Sequence, residues 1–102
     1  MPASDDNPLP AVGVYWIEEA DYAAARAALE DGATLPPAYA QWLKTAEEMK
    51  KGLEAYGHPV MKVRIDPKTF PTWCAAQGTT TGRPGRKLFI AAAVRERYGD
   101  QA

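Results

Sequence analysis

The sequence predicts an α+β fold, mostly α, whose elements run β-α-α-β-α-α around a short two-stranded sheet. Three observations carry that expectation. Residues 60–66 alternate, with Met61, Val63 and Ile65 on one face and Lys62 and Arg64 on the other, the period of a half-buried strand. Residues 12–17 include Val14, Tyr15, Trp16 and Ile17, a β-branched and aromatic run that reads as a second strand. The remaining chain falls into four stretches, between and after these strands, with helical spacing of apolar residues or helix start and stop signals.

The first helix is expected over residues 20–31. Glu18, Glu19 and Asp21 favour the positive end of a helix dipole, Gly32 suits the position after its end, and Tyr22, Ala25 and Leu29 form a thin apolar stripe. Leu35-Pro36-Pro37 opens the longest helix, over residues 37–56. Its apolar positions Tyr39, Trp42, Ala46, Met49, Leu53 and Tyr56 step by 3, 4, 3, 4 and 3, and Leu43 widens the stripe. That seam is expected to be the inner face of an intrachain helix pair. Glu47, placed before Lys50 and Lys51, marks the solvent side. Gly52 interrupts the helix at a cost of about 1 kcal/mol relative to Ala, which a closely approaching backbone would justify. Gly57 and Pro59 end it.

Pro59 and Asp66-Pro67 bound the second strand. Asp66 reads as N-cap and Pro67 as the first helical residue, with Ile65 and Phe70 at the positions of a hydrophobic staple. Phe70, Trp73 and Cys74 then share one apolar face of a helix that closes at Gly78, with Pro71 free to kink its first turn; if Thr69 is the cap, the helix starts later. A Gly/Thr loop leads to Pro84, which suits the first turn of a helix over residues 84–98. From Leu88 to Val94 that helix has no polar residue, so it is expected to be covered on more than one side, by a partner copy or by the N-terminal half. Offsets of 48 and 46 align the halves (Ile17 with Ile65, Tyr22 with Phe70, Trp42 with Leu88), the pattern of a degenerate repeat whose strands would lie side by side.

A chain of 102 residues with 46% hydrophobic content suits one globular domain over residues 11–99, after an acidic, Pro-rich stretch over residues 1–10 expected to be disordered. No segment has the pattern of a secretory signal or the length of a membrane span. A single cysteine rules out an intramolecular disulfide framework and points to the cytoplasm. Charge is divided: residues 1–57 hold 4 Lys/Arg against 10 Asp/Glu, and residues 58–102 hold 8 against 3. Such a division suits a nucleic-acid face, attraction between the halves, or head-to-tail association of copies.

Candidate chemistry is sparse. Cys74 and His58 are the sole thiol and imidazole, and their spacing supplies neither a nucleophilic pair nor a metal shell; Cys74 reads as a core residue and His58 as a turn residue. The segment from Gly78 to Lys87 departs from the phosphate-loop pattern, yet it sets Arg83, Arg86 and Lys87 at a helix N-terminus, where an anion is favoured. No carboxylate pair has a catalytic arrangement. The chain is therefore expected to be no enzyme and to take no cofactor and no metal.

Residues 60–99, a strand and two helices, resemble the ribbon-helix-helix family of DNA-binding proteins. That resemblance implies a dimer whose antiparallel ribbon enters the major groove, with Lys62 and Arg64 reading bases and Arg83, Arg86 and the amides of the last helix holding phosphate; Lys87 belongs to the same basic set. The chain as a whole is similar to small uncharacterised bacterial proteins of about 100 residues with an aromatic first strand, a W-L-x-x-A-E-E helix and an F-x-x-W-C-x-x-x-G segment, here Val14 to Ile17, Trp42 to Glu48 and Phe70 to Gly78. This second likeness implies a shared fold and no activity. The first expectation is a non-enzymatic cytoplasmic binding or interaction protein, a homodimer through exposed parts of its apolar helices, with a protein partner. The alternative is a DNA-binding transcriptional regulator.

Overall fold

The computed structural model describes residues 9–99; of the tail expected over residues 1–10, residues 1–8 lie outside them. The fold is α+β and mostly helical, in the order β1 (Val12–Trp16), α1 (Tyr22–Ala28), α2 (Tyr39–Ala55), β2 (Val60–Arg64), α3 (Phe70–Gln77) and α4 (Arg83–Tyr98). Short 3₁₀ turns at Glu19–Asp21 and Gly32–Thr34 flank α1, which ends before the expected Asp31 because Leu29 leaves the helix in extended backbone. Its stripe Tyr22, Ala25 and Leu29 is nonetheless buried.

β1 and β2 pair in parallel, Val12 opposite Val60 through Trp16 opposite Arg64, which is the offset of 48 seen in the sequence. The ladder is closed at its ends by Val12 N–H to Pro59 O at 2.9 Å and Ile65 N–H to Trp16 O at 2.8 Å. Parallel strands need a long crossover, and α1 with α2 supplies it. In β2, Val63 and the following Ile65 are buried, Met61 is half-buried, and Lys62 and Arg64 are exposed, as the alternation requires.

One face of the sheet, carrying Gly13, Tyr15, Met61 and Val63, receives α4. Gly13 allows the close approach: a Cβ there would lie 2.4 Å from Ile90 Cγ2 and 2.8 Å from Val94 Cγ2. α4 is covered by β1 of the N-terminal half and also by α3, whose Phe70 and Trp73 meet Phe89, whereas a third side stays open, with Leu88 49% exposed and Ala91 and Ala92 exposed. An unbroken apolar run here includes three alanines, which carry little apolar surface to hide.

α2 packs on the sheet and, through Tyr39 and Trp42, on Tyr22 of α1, so the helix contact expected of its seam is confined to its first turns. Trp42 and Ala46 are buried in the core cluster with Val14 and Trp16, while Tyr39, Leu43 and Leu53 are partly buried against it. Met49 (51% exposed) and Tyr56 (81% exposed) point away. Length accounts for Tyr56: 17 helical residues span about 25 Å and a five-residue strand about 17 Å, so the end of the helix overshoots its platform, while Met49 is exposed although Leu53 beyond it is partly buried.

α3 begins after Thr69. Asp66 is used in a turn instead, its side chain accepting from Lys68 N–H at 2.9 Å and its carbonyl from Phe70 N–H at 2.8 Å. Pro71 then falls in the first helical turn, where a missing N–H costs nothing. Gly78, at φ 73°, closes the helix, with Thr79 N–H reaching Cys74 O at 3.0 Å.

Gly52 does not meet an approaching backbone: a Cβ there has nothing within 4 Å. Gly52→Ala is therefore expected to stabilise the chain by about 0.5–1 kcal/mol, because the helix gains propensity and the unfolded chain loses freedom. A higher urea midpoint checks this; a lower one would mean that the helix needs glycine there.

Candidate functional site

The basic residues singled out in the sequence fall into two groups, and the fold sets them on opposite faces of the sheet. Lys62 and Arg64 lie on the Val14 and Trp16 face, away from α4. The Lys62 ammonium sits 4.2 Å from the Trp16 ring centroid. Arg64 Nη2 donates to Asp21 Oδ2 at 2.7 Å, and this bond and the carboxylate's charge raise the guanidinium above its ordinary value. The alternation of β2 thus delivers two outward cations, one of which already has a carboxylate.

Arg83, Arg86 and Lys87 open α4 beside Gly13 and Tyr15, around a cleft of about 370 Å³. They are not equivalent. Arg86 is 7% exposed and forms a two-pronged pair with Asp31, Nη1 to Oδ1 at 2.7 Å and Nη2 to Oδ2 at 2.9 Å, with its guanidinium 4.8 Å from the Tyr15 ring centroid. The bonds from Arg86 hold the Asp31 carboxyl below the usual carboxylate range. Arg86 is therefore a structural clasp between α4 and the loop after α1. Arg83 and Lys87 are exposed and are the cations this cleft offers to solvent. The loop between α3 and α4 is drawn onto the end of α1 by Thr81, whose hydroxyl donates to Ala28 O at 3.2 Å and accepts from Glu30 N–H at 2.9 Å.

Cys74 is buried in the core cluster, and burial pushes its thiol up, keeping it protonated and unreactive. His58 donates from Nδ1 to Pro10 O at 2.9 Å, since a carbonyl only accepts, and so ties the chain ahead of β1 to the turn after α2. Among the described residues no group of three His, Cys, Asp or Glu could hold a metal ion, and no helix is long and apolar enough to cross a membrane.

The sequence reading did not find a further concavity. It is a groove of about 680 Å³ lined by Met61 of β2, Trp73 of α3, and Phe89, Ala92, Ala93, Glu96, Arg97 and Tyr98 of α4. Its aromatic wall is fixed from beneath. Phe70, fully buried, stacks on Trp73 with centroids 6.5 Å apart and meets Phe89 edge-on at 5.2 Å, and Trp73 meets Phe89 edge-on at 5.0 Å. Phe89, Ala92, Ala93 and Glu96 are one helix face, and the two alanines make the floor shallow enough to leave space. Because Ile90 and Val94 seat α4 on Gly13 of β1, this neighbouring face overhangs the β2 side of the sheet. The signal in the sequence was Phe89 followed at three and four residues by alanine, which predicts a notch only once Trp73 is known to stand beside it.

Comparisons with protein-family models, with curated proteins and with solved structures return no match for this chain.

Proposed function

We propose that this chain is a non-enzymatic binding protein and that the groove between β2, α3 and α4 is its working surface. The observation that carries the reading is the wall of Trp73 and Phe89, set rigidly by a buried Phe70 yet left half-buried beside an open volume of about 680 Å³. Preorganised aromatics around an apolar hollow are what a binding site for apolar side chains requires. The reducing cytoplasm, which suits the lone thiol, is its proposed compartment. Leu88, on the open side of α4, is where the proposed homodimer contact would lie.

The ribbon-helix-helix reading draws less support. Its strand would pair antiparallel with a partner's, whereas β2 has β1 of its own chain in parallel on one side. Asp21 places a carboxylate on the face that would meet DNA, and Arg83 and Lys87 lie on the other face of the sheet.

Panning a display library of random peptides on the intact chain tests the proposal. Selected peptides are expected to bind at least about tenfold less tightly to Ala93→Trp, which fills the groove, with the thermal midpoint retained. Failure to select any peptide, or indifference to Ala93→Trp, overturns it. Duplex binding that falls steeply with salt and is lost in Lys62→Ala/Arg64→Ala would put the DNA reading in its place.

A further inference from the structure

The parallel register decides more than which side chains are buried. Since Val12 donates to Pro59 O and Trp16 accepts from Ile65 N–H, the inward backbone groups of the second strand are those of Pro59, Met61, Val63 and Ile65. Val60, Lys62 and Arg64 consequently turn their N–H and C=O groups to the far edge. β1 is the one strand neighbour of β2 among the described residues, so that edge carries three outward donors and three outward acceptors. Open edges of this kind add strands unless something prevents it.

Two different surfaces flank this edge. On the α4 side lies the apolar groove, with Met61 at its margin and Trp73, Phe89 and Tyr98 beyond. On the opposite side stand Lys62 and Arg64, both exposed. Lys62 has no carboxylate within ion-pair distance among the described residues. The surroundings are basic as well: residues 58–99 hold eight Lys/Arg against Asp66 and Glu96. A strand laid along the edge would send alternate side chains to these two surfaces.

Resting on the binding reading above, we propose that the open edge of β2 accepts an extended peptide segment in which acidic residues alternate with apolar ones. Its backbone completes the hydrogen bonds of Val60, Lys62 and Arg64. The acidic side chains meet Lys62, since Arg64 is held by Asp21, and the apolar ones enter the groove between Met61, Trp73 and Phe89. A second copy of this chain is the wrong occupant, because a two-fold antiparallel pairing of two β2 strands sets their Lys62 and Arg64 side chains against each other as cross-strand like charges. A helix is also the wrong occupant, since its backbone groups are spent internally and leave the edge unpaired.

The test uses the intact chain and fluorescently labelled peptides of about ten residues. A Glu/Val alternating peptide is expected to bind, a Lys/Val peptide at least about tenfold more weakly, and a Glu/Ser peptide as weakly. N-methylation of alternate amides, in the register that faces the edge, is expected to abolish binding of the Glu/Val peptide. Lys62→Glu should reverse the preference between the Glu/Val and Lys/Val peptides, and Lys62→Gln should level it; both are surface changes, and thermal midpoints confirm that each variant is folded. Equal affinity for the acidic and basic peptides, or tolerance of N-methylation in both registers, overturns the proposal. So does a solution dimer that Lys62→Glu alters, because the occupant is then a second copy. If the designed peptides fail while selected peptides still sense Ala93→Trp, the strand proposal falls and the binding reading stands. If neither set binds, both fall.

Discussion

Trp42→Ala is expected to lower the free energy of unfolding by about 3–5 kcal/mol, the range for emptying a buried aromatic site. Trp42 is buried where α2 meets the sheet, and its ring lies 5.5 Å from Trp16, 5.6 Å from Tyr39, 6.0 Å from Tyr22 and 6.1 Å from Tyr15, centroid to centroid. It is the common member of those four pairs, so one truncation opens the contact between β1, α1 and α2 at once. Collapse around the void is limited because Tyr22 and Tyr39 are anchored at their hydroxyls, donating to Pro36 O and Ile17 O. A domain of this size has about 5–15 kcal/mol in total, so the loss is a large fraction of its stability. Urea unfolding checks this through a lowered midpoint at an unchanged slope. Met49→Ala, on the same helical stripe but half exposed, should lower the free energy of unfolding by no more than about 0.5 kcal/mol. Equal losses at the two positions would mean that α2 is turned differently on its platform.

That contrast shows where a sequence stops being legible. The 3-4 spacing from Tyr39 to Tyr56 reveals which face of α2 is apolar, because side-chain direction follows from helix geometry alone. How far the cover extends toward Tyr56 depends on the length of the element beneath, and two five-residue strands cannot cover 17 helical residues. The strand faces were readable for the same local reason: Val63 and Ile65 inside, Lys62 and Arg64 outside. The start of α3 was harder, because Asp66 and Thr69 are both competent caps. A backbone turn over residues 66–69 decides between them, and it leaves Pro71 inside the first helical turn.

The candidate site divides along the same line. Arg83, Arg86 and Lys87 look alike in the sequence, three cations at a helix start. They separate only through a partner 55 positions away, since Asp31 takes Arg86 out of solvent and leaves the other two in it. The groove was invisible because it needs Trp73, Phe89 and Met61 from three elements to converge. Its place on the β2 side of α4 follows from the contact of Gly13 with Ile90 and Val94. A glycine in a strand signals a close approach, but it does not say which helix approaches.

The Asp31 and Arg86 pair yields the second large effect, and an asymmetric one. Arg86 is 7% exposed, whereas the Asp31 side chain is 36% exposed, so the two partners are not equally harmed by losing each other. Asp31→Ala strands a buried guanidinium and is expected to cost about 2–3 kcal/mol at neutral pH, less than the cost of about 3–5 kcal/mol for breaking a fully buried pair because water reaches the carboxylate side. Arg86→Met leaves a carboxylate that water can solvate and replaces the guanidinium with a flexible apolar side chain beside Tyr15, so its cost should be smaller. The double variant should then be more stable than Asp31→Ala alone, a non-additivity that marks a direct pair. Acidity gives an independent check on the same contact. The folded chain holds the Asp31 carboxyl below its ordinary value of 3.8, chiefly through the hydrogen bonds from Arg86, so the stabilisation is complete above that value. It is lost as pH falls through the lower folded value, because protonation of Asp31 then proceeds in both states. The stability gap between the parent chain and Asp31→Asn, followed by urea midpoints from neutral pH downward, should stay constant until about 3.8 and shrink below it. A gap that closed near pH 6 would assign the effect to a group other than this carboxylate. A gap that persisted undiminished well below 3 would show that Asp31 acts through its shape and not through its charge on Arg86.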